Sequence, residues 1–379
     1  MAEDLGTACL TVRGRFRIAH SFSGKLDIPL HGITYVVDAK FGFCGNGEPA
    51  TSLAAAEQML ADVLARYDRT NLDCAAGFQN ENTTCERIAR AVWEGVVAHR
   101  PPSLAHLTIT VKESDVAYVE YARAVSAGAG VYAVAVRARC MVGRSLRPPT
   151  GDGEETCEGA TLIVDALFRG EALDPEAGFL FDICLGEQLL NELVAPLHQR
   201  HLRDVQHDLL ATHETEHLAS MLCAQLAQKL AGEAAKPLCS VRIVVRESDL
   251  LAAEAECALP LGLGSGLTPN PAATQPSVRA LCLTGPYTPL HPAACLLATV
   301  RVEARGAGNG HDWFDRRQIE RAVDEALDIE AERADVAAPG GAAEACAATS
   351  GLAALSRRLW ARLATSIIPV AAGAIIATT

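Results

Sequence analysis

The sequence lacks most of the features that sort a protein quickly into a class. It has no basic excess, since 33 Lys and Arg stand against 46 Asp and Glu for a formal net charge of -13. Nucleic-acid affinity comes largely from Lys and Arg displacing counterions, so this surface would repel a polyanion and nucleic acid is excluded as a partner. There is no apolar run long enough to cross a bilayer. The longest, Ile367–Thr379, is short and rich in small residues, and it reads as a buried strand. No CxxC occurs among the 13 cysteines, which are scattered through apolar segments around Cys9, Cys223, Cys239 and Cys295. That scatter excludes closely spaced metal-ligand pairs and suits small buried thiols in a reducing compartment. The opening MAEDLGTACLTVRGRF puts acidic residues where a secretory signal carries positive charge, so a cytoplasmic location is expected. The Gly262-x-Gly264 pair has no strand-glycine-helix context and gives no support to dinucleotide binding.

What is present is a globular composition, 49% hydrophobic and 21% charged over 379 residues, and an internal repeat. FRIAHSFSG at Phe16–Gly24, VRARCMVG at Val136–Gly143 and VRALCLTG at Val278–Gly285 each place an Arg and an Ala before His20, Cys140 or Cys282, with a Gly following. A second β-rich segment follows each: ITYVVDAKFGF from Ile33, ATLIVDALFRG from Ala160 and LLATVRVEARG from Leu296. Apolar residues at three- and four-residue spacing then predict helix pairs over Ser52–Tyr67 and Thr83–Val97, Gly186–Leu197 and Thr215–Leu230, and Trp313–Leu327 and Thr349–Leu363. LTITVKES, VRIVVRES and IIPVAAGAII supply a third strand each, with a fourth expected in the first two units. The units span residues 1–126, 127–258 and 276–379, with a Pro- and Gly-rich linker over 259–275. A unit of this kind standing alone leaves two bare strand edges, and three can close edge to edge. The expected fold is therefore α+β: three tandem β-β-α-α-β(β) repeats closing into one antiparallel barrel with the helices outside.

Particular residues sharpen this. His20 in RIAHSF, His31 in LHGITY, Asp68 in YDRTNLD, Thr84 and Glu86 in NTTCERIA, and Glu113 in TVKES follow one another in the first repeat, while FLFDI, Glu216 in HETEHLA and Glu247 in VVRES mark the second. In these residues the chain resembles the tunnelling-fold family of 6-pyruvoyl-tetrahydropterin synthase and 6-carboxytetrahydropterin synthase. The resemblance implies a pseudo-trimeric barrel, pterin metabolism by carbon-oxygen lyase chemistry, and a zinc ion on a first-strand His and a second-strand His-x-His. It implies a pterin anchored by the Glu after the third strand, here Glu113 and Glu247, with Thr84, Glu86, Thr215 and Glu216 lining the pocket. It also implies a homodimer of two barrels stacked face to face.

The departures matter equally. The third zinc ligand of the first repeat is Ile33, and the His of the family's Leu-Asp-His segment is Arg69. In the second repeat Cys140, Glu158 and Ala160 stand at the ligand places, and Cys282, Ala294 and Leu296 stand there in the third. Zinc is thus expected only on His20 and His31, as an incomplete set. For general-base work only Asp27, Asp68 and Arg69 remain, and a carboxylate beside an arginine is a poor base near neutral pH. Glu113 and Glu247 can each be a ligand anchor or a strand-end cap. The helix-opening Thr84 with Glu86, and Thr215 with Glu216, can be capping groups or pocket groups. Two functions follow from these alternatives: a lyase acting at one inter-repeat pocket, or a catalytically inactive pterin-binding or scaffold protein.

Overall fold

The computed structural model describes residues 8–21, 29–43, 51–79, 81–101, 103–125, 128–146, 156–205, 215–231, 238–248, 251–259, 277–287, 296–304 and 374–378. Residues 260–275 of the 259–275 linker, with Gly262 and Gly264 among them, the two helices expected in the third repeat, Asp27 and Ala294 lie outside the described residues.

The first repeat runs β1 (Ala8–His20), β2 (His31–Phe43), α1 (Leu53–Ala65), β3 (Thr70–Asn71), a 3-10 turn, α2 (Cys85–Val97), β4 (Leu104–Lys112) and β5 (Ala117–Ala124). The second follows with β6 (Val131–Leu146), β7 (Thr156–Gly170), α3 (Ile183–Val194), a second 3-10 turn, β8 (Arg200–His201), α4 (Leu202–Val205), α5 (Thr215–Ala231), β9 (Leu238–Ser248) and β10 (Leu251–Ala258). Then come β11 (Ser277–Tyr287), β12 (Leu296–Ala304) and β13 (Ala374–Thr378). All lie in one sheet, ordered β13-β12-β11-β10-β9-β7-β6-β5-β4-β2-β1-β3, with β8 beside β6. The long strands pair antiparallel, and the two-residue β3 and β8 lie parallel to the ends of β1 and β6. The described ladders run from β3 to β13 without meeting, so the sheet is open over the described residues.

The two faces of this sheet differ because side chains alternate along each strand. On β4, Leu107, Ile109 and Val111 are fully buried against the helices. The facing stripe of α2 is Ile88, Ala89, Val92, Trp93 and Val96, and that of α5 is Leu218, Leu222, Cys223 and Leu226, at the three- and four-residue spacing of one helix face. The opposite face is charged. There Asp165, wholly buried, is held by Arg137 (Nε to Oδ1, 2.6 Å), by Arg246 and by Tyr118 Oη at 3.4 Å. A buried carboxylate is tolerable only when its lone pairs are filled in this way. A cleft of about 270 Å³ opens beside it, lined by Asp38, Lys112, Glu120, Arg137 and Arg246 among others. Arg137 and Arg246 pair there with Asp165, and Lys112 pairs with Asp38.

The two repeats copy each other in detail. Trp93 Nε1 donates to the Leu107 carbonyl at 3.0 Å, and Cys223 Sγ reaches the Val241 carbonyl at 3.5 Å from the matching turn of α5. Asp68 accepts the Arg17 amide at 2.9 Å, and His198 Nδ1 accepts the Met141 amide at 3.3 Å. The next residues, Arg69 and Gln199, have φ of 59° and 57° and return their amides to the carbonyls of Arg17 and Met141. Left-handed backbone at a non-glycine residue costs on the order of 1 kcal/mol, and both repeats carry it at the same clip.

β5 pairs β6 across the repeat boundary, which sets Tyr121 opposite Tyr132 with ring centroids 4.7 Å apart and Trp93 edge-on to Tyr121 at 5.8 Å. Gly130 backs this cluster, and a Cβ there would lie 2.2 Å from Tyr121 Oη and 2.4 Å from two ring carbons. The ring is hemmed in by its neighbours and cannot swing clear. Gly130→Ala should therefore lose about 1–3 kcal/mol of stability, read as a lower urea midpoint with an unchanged slope.

Candidate functional site

β1 ends and β2 begins at one cross-strand pair, His20 opposite His31, with ring centroids 4.5 Å apart. His20 is 1% exposed. Its Nδ1 lies 3.2 Å from the Thr83 carbonyl and 2.9 Å from Thr83 Oγ1. A carbonyl can only accept, so Nδ1 carries the proton and Nε2 is left as the acceptor. Burial, and then the neighbouring His31, hold the His20 pKa below its ordinary value and keep the ring neutral. His31 is exposed, and its Nδ1 lies 3.0 Å from the Pro29 carbonyl.

Imidazole nitrogen is a donor type that zinc prefers, but a catalytic zinc takes three protein ligands. The third place is Ile33, which pairs with Ile18 in the ladder and belongs to the packed apolar layer. Among the described residues no group of three His, Cys, Asp or Glu is placed to hold a metal ion. The pair alone does not fit the three-ligand site that the family resemblance implies.

Around His20 the chain gathers groups from four elements. Asp73, in the 3-10 turn after β3, accepts the amide and the hydroxyl of Ser21, both at 2.8 Å, and the Thr83 hydroxyl at 3.4 Å. Asp73 was not singled out in the sequence, although it closes the same YDRTNLD run as Asp68. At the far end of β4, Glu113 is exposed. Cys85 Sγ stands between its Oε2, at 3.7 Å, and Tyr35 Oη, at 3.6 Å. Burial first, then the carboxylates of Glu113 and Glu86, push the Cys85 thiol well above its ordinary pKa. Such a thiol stays protonated and is not an activated nucleophile or base.

Beyond the β5–β6 ladder, the two repeats also touch at the N-terminus of α2. Thr84 occupies the N-cap position of α2 but makes no side-chain capping bond; its hydroxyl donates instead to the Gly178 carbonyl of the second repeat at 2.8 Å. Asn82 Nδ2 donates to the Ala177 carbonyl at 2.7 Å. Glu86, 3% exposed, accepts the Leu180 amide at 3.0 Å. The loop that meets them is shaped by its own residues. Asp174 Oδ1 accepts the amides of Glu176 and Ala177, and Gly178 takes φ of 77° where a Cβ would strike Arg87. Phe181, in the FLFDI run, anchors the loop by stacking on Phe168 at 4.1 Å. Thr84 and Glu86 thus both bond across the seam to the second repeat.

Asp68 and Arg69 lie at the strand clip, and Asp68 gives one carboxylate oxygen to the backbone of β1, while Asp27 lies outside the described residues. In the second repeat Thr215 is the buried first residue of α5, and Glu216 follows it at the helical place of Glu86. The ladders correct the alignment of that repeat. β3 pairs with Ile18 and Ala19 just as β8 pairs with Val142 and Gly143, so the residue matching His20 is Arg144, four positions beyond Cys140. Its cross-strand partner is Glu158, as His31 is for His20. Cys140 lies deeper, in the apolar layer, where burial raises its thiol to about 11. Glu247, at the end of β9, is gripped by Arg144 through two bonds of 2.7 Å.

A 6-pyruvoyl tetrahydropterin synthase family model matches the chain twice, over residues 9–124 and 134–257. Among solved structures, the chain is similar to Caenorhabditis elegans 6-pyruvoyl tetrahydropterin synthase at 22% identity and a TM-score of 0.25, over 29% of this chain and 90% of that one. Plasmodium falciparum 6-pyruvoyl tetrahydropterin synthase matches at 14% identity and a TM-score of 0.28, over 35% and 100% of the two chains. A hyper-thermostable AgUricase mutant matches at 9% identity and a TM-score of 0.33, over 63% and 88%. A search of curated proteins found no match.

Burial, partly offset by the Leu180 amide, raises the pKa of Glu86 above the ordinary 4.5. A carboxyl group raised on folding adds stability that is complete below the unfolded value and is lost as the pH rises through the folded one. Gln at this position keeps an oxygen for Leu180 and cannot ionise. The melting temperature of Glu86→Gln relative to wild type should therefore climb as the pH rises from the ordinary carboxylate range toward neutrality. A difference constant across that range would mean that Glu86 ionises at no cost.

Proposed function

Because the chain belongs to the 6-pyruvoyl tetrahydropterin synthase family, we propose that it binds a pterin-type heterocycle at the seam between its first two repeats, with Glu113 as the anchor. The observation that carries this is the placement of an exposed carboxylate at the end of β4, against Cys85 and Tyr35, beside the α2 N-terminus that the second repeat closes. An amino-pyrimidine edge presents two parallel N-H donors, which a carboxylate receives as it receives a guanidinium. Thr84 and Glu86 in this reading hold the pocket wall. Thr215 and Glu216 would do the same at the second seam.

Of the two activities open to such a site, binding without turnover is favoured by three features of the first repeat. The His20 and His31 pair has Ile33 at its third place, the Cys85 thiol is held protonated, and Asp68 is bonded to backbone. A carbon-oxygen lyase reaction would need zinc on His20 and His31 completed by a further ligand, together with a base such as Asp27 or Asp68. In the same proposal a third, degenerate repeat beginning at β11 closes the sheet into a pseudo-trimeric barrel, and two barrels stack as a homodimer. A cytoplasmic setting suits the buried thiols of Cys85, Cys140 and Cys223.

Calorimetric titration with an oxidised or reduced pterin tests the central claim. Glu113→Gln should weaken binding by about 2 kcal/mol or more, roughly thirtyfold in affinity, through the loss of two charge-assisted hydrogen bonds. Its melting temperature should stay near wild type, since an exposed strand-end carboxylate contributes little packing. Absence of pterin binding to the wild type, or unchanged binding in Glu113→Gln, would refute the reading.

A further inference from the structure

The residue that takes the place of His20 in the second repeat does more than fill a gap. The Arg144 side chain is 8% exposed and uses two edges of its guanidinium. Nη1 and Nη2 meet Oε1 and Oε2 of Glu247 at 2.7 Å each, and Nε meets Glu158 Oε1 at 2.6 Å. Glu247 ends β9 as Glu113 ends β4: β7 pairs Ile163 with Arg246 where β2 pairs Val36 with Lys112. The parallel fork on Glu247 is the geometry in which a carboxylate receives any guanidine-like edge.

We propose that Arg144 is a built-in occupant of the second repeat's anchor, a tethered guanidinium that closes Glu247 to external guanidine-like ligands and leaves one open anchor, Glu113, in the first two repeats. The ligand count rests on the pterin reading above, whereas the self-occupancy does not. An arginine linked to its own chain reaches Glu247 without the entropy loss that a free ligand meets, so a free ligand of the same edge chemistry cannot compete. Removing the arginine leaves two acidic groups facing an emptied guanidinium-shaped space, with the Glu247 side chain itself 9% exposed. That space is a binding site for a small planar cation.

The test uses Arg144→Ala and, because that change strands two carboxylates, also the double variant Arg144→Ala with Glu158→Gln. Ethylguanidinium is titrated into each while thermal melting is followed by circular dichroism, with ethylammonium as the charge-matched control. Arg144→Ala should lower the melting temperature by roughly 5–15 °C. Millimolar ethylguanidinium should restore part of that loss, or restore folding if the variant is unfolded alone, while ethylammonium should not. Adding Glu247→Gln should abolish the rescue. Equal effects of the two cations on both variants, or rescue that survives Glu247→Gln, would overturn the proposal. In parallel calorimetry without ethylguanidinium, the double variant should bind pterin at twice the wild-type stoichiometry, and added ethylguanidinium should return it to the wild-type value. A wild type that binds no pterin would refute the function proposed above and leave the rescue to decide this inference alone.

Discussion

A strand at the edge of a sheet leaves a row of amide and carbonyl groups without partners, and each repeat of this chain has two such edges. Pairing β5 with β6 and β10 with β11 satisfies the edges that meet at those two joints, so the sheet passes through them without interruption. The other features of the molecule follow from that continuity. One face is fixed as the floor for the helices, and the other becomes a charged surface whose buried Asp165 must be held by Arg137 and Arg246 from neighbouring strands. The strand ends of adjacent repeats are also brought side by side, and this is what places the loop over residues 174–180 against the first turn of α2.

The candidate site is a consequence of that seam. His20, Thr83, Asp73 and Glu113 come from one repeat, but the groups that tie down Thr84 and Glu86 are backbone atoms of Gly178 and Leu180 in the next. These contacts hold as long as the two repeats stay in register, and the β5–β6 ladder with its aromatic cluster enforces that register. Glu113 needs only its place at a strand end, whereas Ile33, at the third ligand place that the family resemblance implies, packs into the apolar layer.

The second repeat carries the ion pair of Arg144 and Glu158 at the cross-strand position where the first carries His20 and His31, and the arginine is long enough to reach Glu247 as well. The buried carboxylate thereby keeps a partner of the right charge and geometry. Without one it would carry the full cost of a desolvated charge.

Much of the architecture was determined by the sequence alone. Period-two and three- to four-residue apolar patterns mark the strands and helices of the first two repeats, for example β4 and α2, because burial on one face is a local property of each element. The polar residues that the first repeat places at its element ends, His20, Thr84, Glu86 and Glu113, were legible too, since they sit within recognisable runs. The register of the second repeat was not. In VRARCMVGR, Cys140 and Arg144 are four residues apart and share one face of the strand, so alternation cannot distinguish a four-residue slip. Only the pairing of β6 with β8 resolves it. Nor could one repeat's sequence reveal that the Thr84 hydroxyl bonds to the next repeat, that Cys85 is a buried protonated thiol, or that Glu247 is already taken. Those facts depend on distances between groups remote in the chain, and tertiary packing alone sets them.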